Sequence, residues 1–168
     1  MNVSSLPNRG SKFILSYMVN TLIFNYVQGD EIYLAMASFV TLYMDTGLHR
    51  LPDKEEVTPH SQFRRTLAAS GYQLEKSQCL FKGRPPALSR HYCIFRLPLD
   101  LADDELYGTS KEDFAVAVSQ LDKDGWNTSG RIYTVTYVRA ICLLVPIREE
   151  ILEISLGLNI QIPQGRVE

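Results

Sequence analysis

The sequence predicts an all-α fold: a single helical domain of about five or six helices, interrupted after Gly83 by one extended, proline-containing crossing segment. Three observations carry this expectation. Apolar residues recur at three- and four-residue spacing through most of the chain. Capping residues and glycines mark helix starts and stops, as at Thr58-Pro59, Gly47 and Gly83. The one stretch without helical period, 87–101, follows Pro85-Pro86 and contains Pro98.

Taken in order, residues 1–10 contain Pro7, Asn8 and Gly10 and read as a loose N-terminal arm. The domain spans 11–158, and 159–168 is a C-terminal tail. Ser11 caps a first helix through Gln28, with Leu15, Met18, Val19, Leu22, Ile23 and Tyr26 on one face and Gly29 as its stop. Asp30 opens a second helix through Thr46. It is apolar nearly all round except for a stripe of Ser38, Thr41 and Asp45, which predicts a central place in the core.

Thr58 caps a third helix with Pro59 in its first position. Phe63, Leu67, Ser70, Leu74, Gln78 and Phe81 share a face, and Ala68-Ala69-Ser70-Gly71 leaves room for a neighbouring helix. At Gly83 this helix cannot continue: Gly supplies a left-handed cap, and Pro85-Pro86 drives the chain into extended geometry. Ser110 and Asp113 open a fourth helix through Leu121, closed by the turn Asp122-Lys123-Asp124-Gly125. Thr128 or Ser129 caps the last helical region. There Ile132, Val135, Val138, Cys142 and Val145 form a face continued by Ile147, Ile151, Ile154 and Leu158, and Pro146 is expected to kink or split it. The β-branched run Ile132–Val138 admits a strand as the alternative.

Hydrophobic residues make up 45% of the chain and charged residues 21%, which places it among ordered globular proteins. A net charge of -2 offers no basic excess for a phosphate backbone or an anionic membrane. The apolar stretch 13–27 is interrupted by Asn20 and Asn25 and is too short to span a bilayer. Cys79, Cys93 and Cys142 stand far apart, as reduced thiols of a cytosolic or nuclear protein do. His91 and Cys93 have no second pair at metal-site spacing. A thiol–imidazole dyad would join Cys79 or Cys93 to His49, His60 or His91, but lone cysteines in helices usually serve as small buried hydrophobes. Asp122–Gly125 lacks the closing Glu of a calcium loop. Arg84, fixed beside two prolines, presents a planar fork suited to a carboxylate. No catalytic, cofactor or metal residue is assigned, and the chain is expected not to be an enzyme.

Gly47-Leu48-His49-Arg50, Arg64-Arg65, Glu75-Lys76, Gly83-Arg84-Pro85 and Leu97-Pro98 occur in that order, followed by Ile151-Leu152-Glu153-Ile154 in the last helical region. With these phrases the chain resembles the fungal-specific transcription factor domain, the regulatory middle region of fungal binuclear zinc-cluster regulators. It departs from that pattern at Leu67-Ala68-Ala69 and Arg90-His91-Tyr92. The resemblance implies a non-enzymatic, nuclear, transcription-regulatory domain acting through protein or small-ligand contacts, with other transcription regulators or a homo- or heterodimer as partners. In the family, zinc and DNA contacts belong to a six-cysteine module, which this sequence does not contain, so no cofactor is expected here and DNA would be reached only through such a module. The alternative is a helical dimerisation or inhibitory scaffold without DNA binding of its own.

Overall fold

In the computed structural model, which describes residues 31–52, 55–107 and 110–157, one long helix carries the rest. Among the described residues there are five α-helices: α1 (Glu31–Asp45), α2 (Pro59–Lys82), α3 (Asp103–Tyr107), α4 (Lys111–Ser119) and α5 (Thr134–Leu156). No strand occurs among them, only an isolated parallel bridge between Arg50 and Ile94. The fold is therefore all-α. The expected helix Ser11–Gln28, the arm 1–10 and the tail 159–168 lie outside the described residues.

The centre belongs to α2, not to the helix after Asp30. On α1, Phe39 and Tyr43 are fully buried, while Leu34 is exposed together with the expected polar stripe of Ser38, Thr41 and Asp45. By contrast α2 buries residues on nearly every side, including Ser61, Gln62, Arg65, Glu75, Lys76 and Gln78. Polar side chains can occupy a core when each finds a partner there, so low hydrophobicity concealed the central element. Phe81, expected on the buried face, is 85% exposed because it lies at the end of α2 beyond the packed length.

Local chemistry explains the ends. Thr58 and Ser61 form a reciprocal capping box, Ser61 N donating to Thr58 Oγ1 (3.1 Å) and Thr58 N to Ser61 Oγ (3.0 Å). Gly47 (φ +71°) ends α1 in a Schellman turn, with Gly47 N donating to Met44 O and Leu48 N to Tyr43 O. Gly83 takes φ +61° at the end of α2, and Arg84 N returns to Cys79 O at 3.0 Å. A Cβ at Gly83 would meet nothing within 4 Å, so the cost of a side chain there is purely conformational. We expect Gly83→Val to lower stability by about 1–2 kcal/mol and Gly83→Asn by less. Urea midpoints equal to the parent for both would show that the left-handed cap does not matter.

Three boundaries differ from expectation. Asp103-Asp104-Glu105 forms the first turn of the short helix α3, whose start is held by Ala102 N donating to Glu105 Oε2 (2.8 Å). The last helix begins at Thr134, not behind Thr128 or Ser129. Thr128 Oγ1 donates to Gln120 O and Ser129 Oγ to Asn127 Oδ1, so both hydroxyls serve the preceding loop, and Thr136 Oγ1 accepts from Tyr133 N instead. Finally, Pro146 neither splits nor ends α5, which runs unbroken from Thr134 to Leu156. Its exposed ring flanks the packed face Val138, Cys142, Val145, Glu149 and Leu152, whose burial against α2 holds the helix together.

Two small-residue contacts set the packing distances. Tyr43 Oη donates to Ala68 O at 2.8 Å, and a Cβ on Gly71 would lie 2.8 Å from both Phe39 Cζ and Tyr43 Cε2. The expected close approach at Ala68–Gly71 is made by α1. On the other side Cys142 Sγ reaches Ala69 O at 3.7 Å, bringing α5 against the same short patch.

A candidate functional site at the clamped elbow

Beyond Gly83 the chain leaves α2 through Pro85-Pro86 but is not extended throughout as expected. It makes a turn in which Tyr92 N and Cys93 N donate to Ser89 O, and it has no sheet to satisfy the rest of its backbone. Side chains of α2 and α5 do this instead. Glu75 Oε1 accepts from Ala87 N at 2.6 Å and from Leu88 N at 3.4 Å. Glu149 Oε1 accepts from Arg90 N at 3.1 Å. Further on, Gln62 Oε1 accepts from Leu99 N at 2.9 Å, and the Arg139 guanidinium donates to Pro98 O and to Asp124 O. Arg139 also lies over the Trp126 ring, 4.2 Å from its centroid.

The two carboxylates meet one ammonium. Lys76 is fully buried, with Nζ 3.0 Å from Glu75 Oε2 and 4.0 Å from Glu149 Oε1, and 4.7 Å from the centre of the Tyr72 ring. Tyr72 Oη donates to Glu149 Oε2 at 2.8 Å. Burial first, and then this bond to a carboxylate, drive the Tyr72 phenol well above its ordinary range. A third buried carboxylate, Asp100, accepts from Thr136 Oγ1 (2.5 Å) and from Asn127 Nδ2 (2.5 Å), tying the end of the crossing segment to α5 and to the loop before it.

A cavity of about 360 Å³ opens between α1, the last turns of α2 and the elbow. Met36, Ala37 and Val40 line one wall, Gln78 and Cys79 the other, and Pro85 and Ala87 the end. Its lining is almost wholly apolar, while the exposed side chains Lys82 and Arg84 stand at its mouth. Arg84, singled out for its fixed backbone, thus belongs to a concave site. Glu75 joins the clamp to the cavity, since it lines the cavity while holding Ala87.

The other residues of chemical interest are not brought together. His49 lies in the turn after α1, where its carbonyl accepts from Ile94 N at 2.7 Å. His60 is in the first turn of α2 and exposed, and His91 is exposed in the crossing segment. Cys79 Sγ donates to Glu75 Oε1 (3.4 Å) and lies 3.8 Å from Pro85 O. Burial, reinforced by Glu75, pushes the Cys79 thiol up to about 12, and burial raises Cys93 and Cys142 to about 11. All three shifts favour the thiol over the nucleophilic thiolate. Asp122–Gly125 is a turn in which Asp122 Oδ1 accepts from Asp124 N and Trp126 N. Among the described residues no three His, Cys, Asp or Glu side chains are grouped to hold a metal ion. Arg64 pairs with Glu55 at 3.2 Å, whereas its neighbour Arg65 is buried.

The clamp was missed because Gln62, Glu75, Lys76, Arg139 and Glu149 are of residue types that are mostly exposed. A usable signal was present: a proline-rich segment too polar in backbone to be buried alone must borrow acceptors from its neighbours. No helix among the described residues is long and apolar enough to cross a membrane. No family model, no curated protein and no solved structure matches the chain.

Proposed function

We propose that the chain is a transcription-regulatory domain of the fungal zinc-cluster type, which works in the nucleus by coupling a small ligand in the elbow cavity to contacts with other regulatory proteins. One observation carries the reading. At least four of the six phrases on which the resemblance rests lie in the crossing segment or contact it. Gly47-Leu48-His49-Arg50 supplies the bridge to Ile94 and sets Arg50 Nε 3.4 Å from Tyr92 O. Glu75-Lys76 forms the clamp, Gly83-Arg84-Pro85 the elbow, and Leu97-Pro98 the point where Arg139 takes hold. A regulatory domain needs such an element, whose position one ligand can bias.

The cavity sets the ligand's chemistry. An apolar body would fill the space beside Met36, Val40 and Cys79, and a carboxylate would meet Lys82 and Arg84 at the mouth. Zinc and base contacts remain with a module that this sequence does not contain. The test joins the chain to a heterologous DNA-binding module in a fungal reporter strain. The fusion should change reporter output, and Ala37→Trp, which fills the cavity, should uncouple that output from added decanoate. A fusion indistinguishable from the bare module would sink the reading. So would sequence-specific duplex binding by the isolated chain at physiological salt.

A further inference from the structure

α5 carries two apolar faces, and only one of them is buried among the described residues. Val138, Cys142, Val145 and Leu152 are buried in the domain. On the opposite side Tyr137, Ala140, Leu144, Ile147, Ile151 and Ile154 are all exposed. Their spacing is 3-4-3-4-3, the a/d repeat of a coiled-coil seam, sustained over the length of the helix. The large members are between 45% and 62% exposed, and Leu143 at the flank is 57% exposed. Together they offer on the order of 600 Å², as much as the largest apolar patch of an ordinary monomer.

We propose that this seam is the interface of a homodimer, occupied by α5 of a second copy in antiparallel register. Two observations choose that occupant. First, the spacing reads the same from either end, so a two-fold axis crossing the helix near Val145 and Pro146 matches every position with a counterpart. Tyr137 meets Ile154, Ala140 meets Ile151, and Leu144 meets Ile147, so that the smallest residue faces a large one. The flanking charges Arg148 and Glu150 then have no like charge opposite them. Second, two such faces bury about 1,200 Å² in total, which reaches the size of a specific interface. The inference rests on α5 alone and stands whether or not the elbow cavity takes a ligand.

Sedimentation equilibrium of the full chain should show a reversible dimer. Leu144→Glu with Ile151→Glu, both at exposed positions, should weaken self-association at least about tenfold while leaving the far-ultraviolet spectrum and urea midpoint of the monomer intact. Mixed Leu144→Cys and Ile147→Cys chains should oxidise to a disulfide that peptide mass mapping places between positions 144 and 147 of different copies. A full chain that stays monomeric at about 100 μM, an association near the weak end of specific contacts, would overturn the proposal. That result would mean that residues 11–28, another partner or nothing covers the seam. A dimer unaffected by the double glutamate variant would place the interface elsewhere, and linkage of Leu144→Cys chains only to themselves would overturn the antiparallel pairing.

Discussion

Glu75→Ala should cost the domain about 3–5 kcal/mol, seen as a lower urea midpoint with the denaturant slope unchanged. The loss has two physical parts. Ala87 N and Leu88 N lose their acceptor in a segment with no sheet neighbour to replace it. Lys76, fully buried, keeps only Glu149 at 4.0 Å as a countercharge. The partly exposed pair of Arg64 and Glu55 provides the control, because solvent screens it and Arg64→Ala should cost no more than about 1 kcal/mol. Equal losses for Glu75→Ala and Arg64→Ala would mean that the buried clamp does not hold the crossing segment.

Gly71→Val is the second large effect, at about 2 kcal/mol or more. Even a bare Cβ at this position falls 2.8 Å from ring atoms of Phe39 and Tyr43, and both rings are buried and cannot swing away. The gain in helix propensity over glycine, below about 1 kcal/mol, does not offset that overlap. Shortening the obstacle with Phe39→Leu should recover part of the loss, as expected for residues in contact. Thermal melts of the two single variants and the double variant form the cycle. If the losses simply add, α1 does not rest on Gly71.

These two sites mark the boundary between what sequence reveals and what it hides. The patch Ala68–Gly71 was legible because small residues in mid-helix have few purposes other than close approach. The caps at Thr58, Ser110, Gly47 and Gly83 were legible because each acts within a few residues of itself. Helix α2 as the centre was not legible, since burial of Gln62, Glu75 and Lys76 depends on partners outside the helix, from Ala87, 12 positions from Glu75, to Leu99, 37 positions from Gln62, and Glu149 beyond them. The two faces of α5 were merged for a similar reason. By spacing alone Ile147, Ile151 and Ile154 prolong the stripe ending at Val145, but at 3.6 residues per turn that stripe continues through Glu149 and Leu152. A buried carboxylate hid the true continuation. Pro146 was expected to break the helix because its local effect is large, yet burial along the whole α5–α2 contact outweighs one missing hydrogen bond. Nothing in the separate parts of the sequence foretold that the cavity would gather Met36, Cys79 and Arg84, since three elements must fold before it exists.

A crossing segment held largely by side chains differs from one held in a ladder, since its clasps are shared among several separate residues. Ala87 and Leu88 answer to Glu75, Arg90 to Glu149 and Leu99 to Gln62. The segment can therefore detach one clasp at a time, by local openings that leave α2 and α5 folded. Amide hydrogen exchange at those four positions would resolve the openings separately. A ligand seated beside Glu75 would slow exchange at Ala87 and Leu88 before it slowed exchange at Leu99.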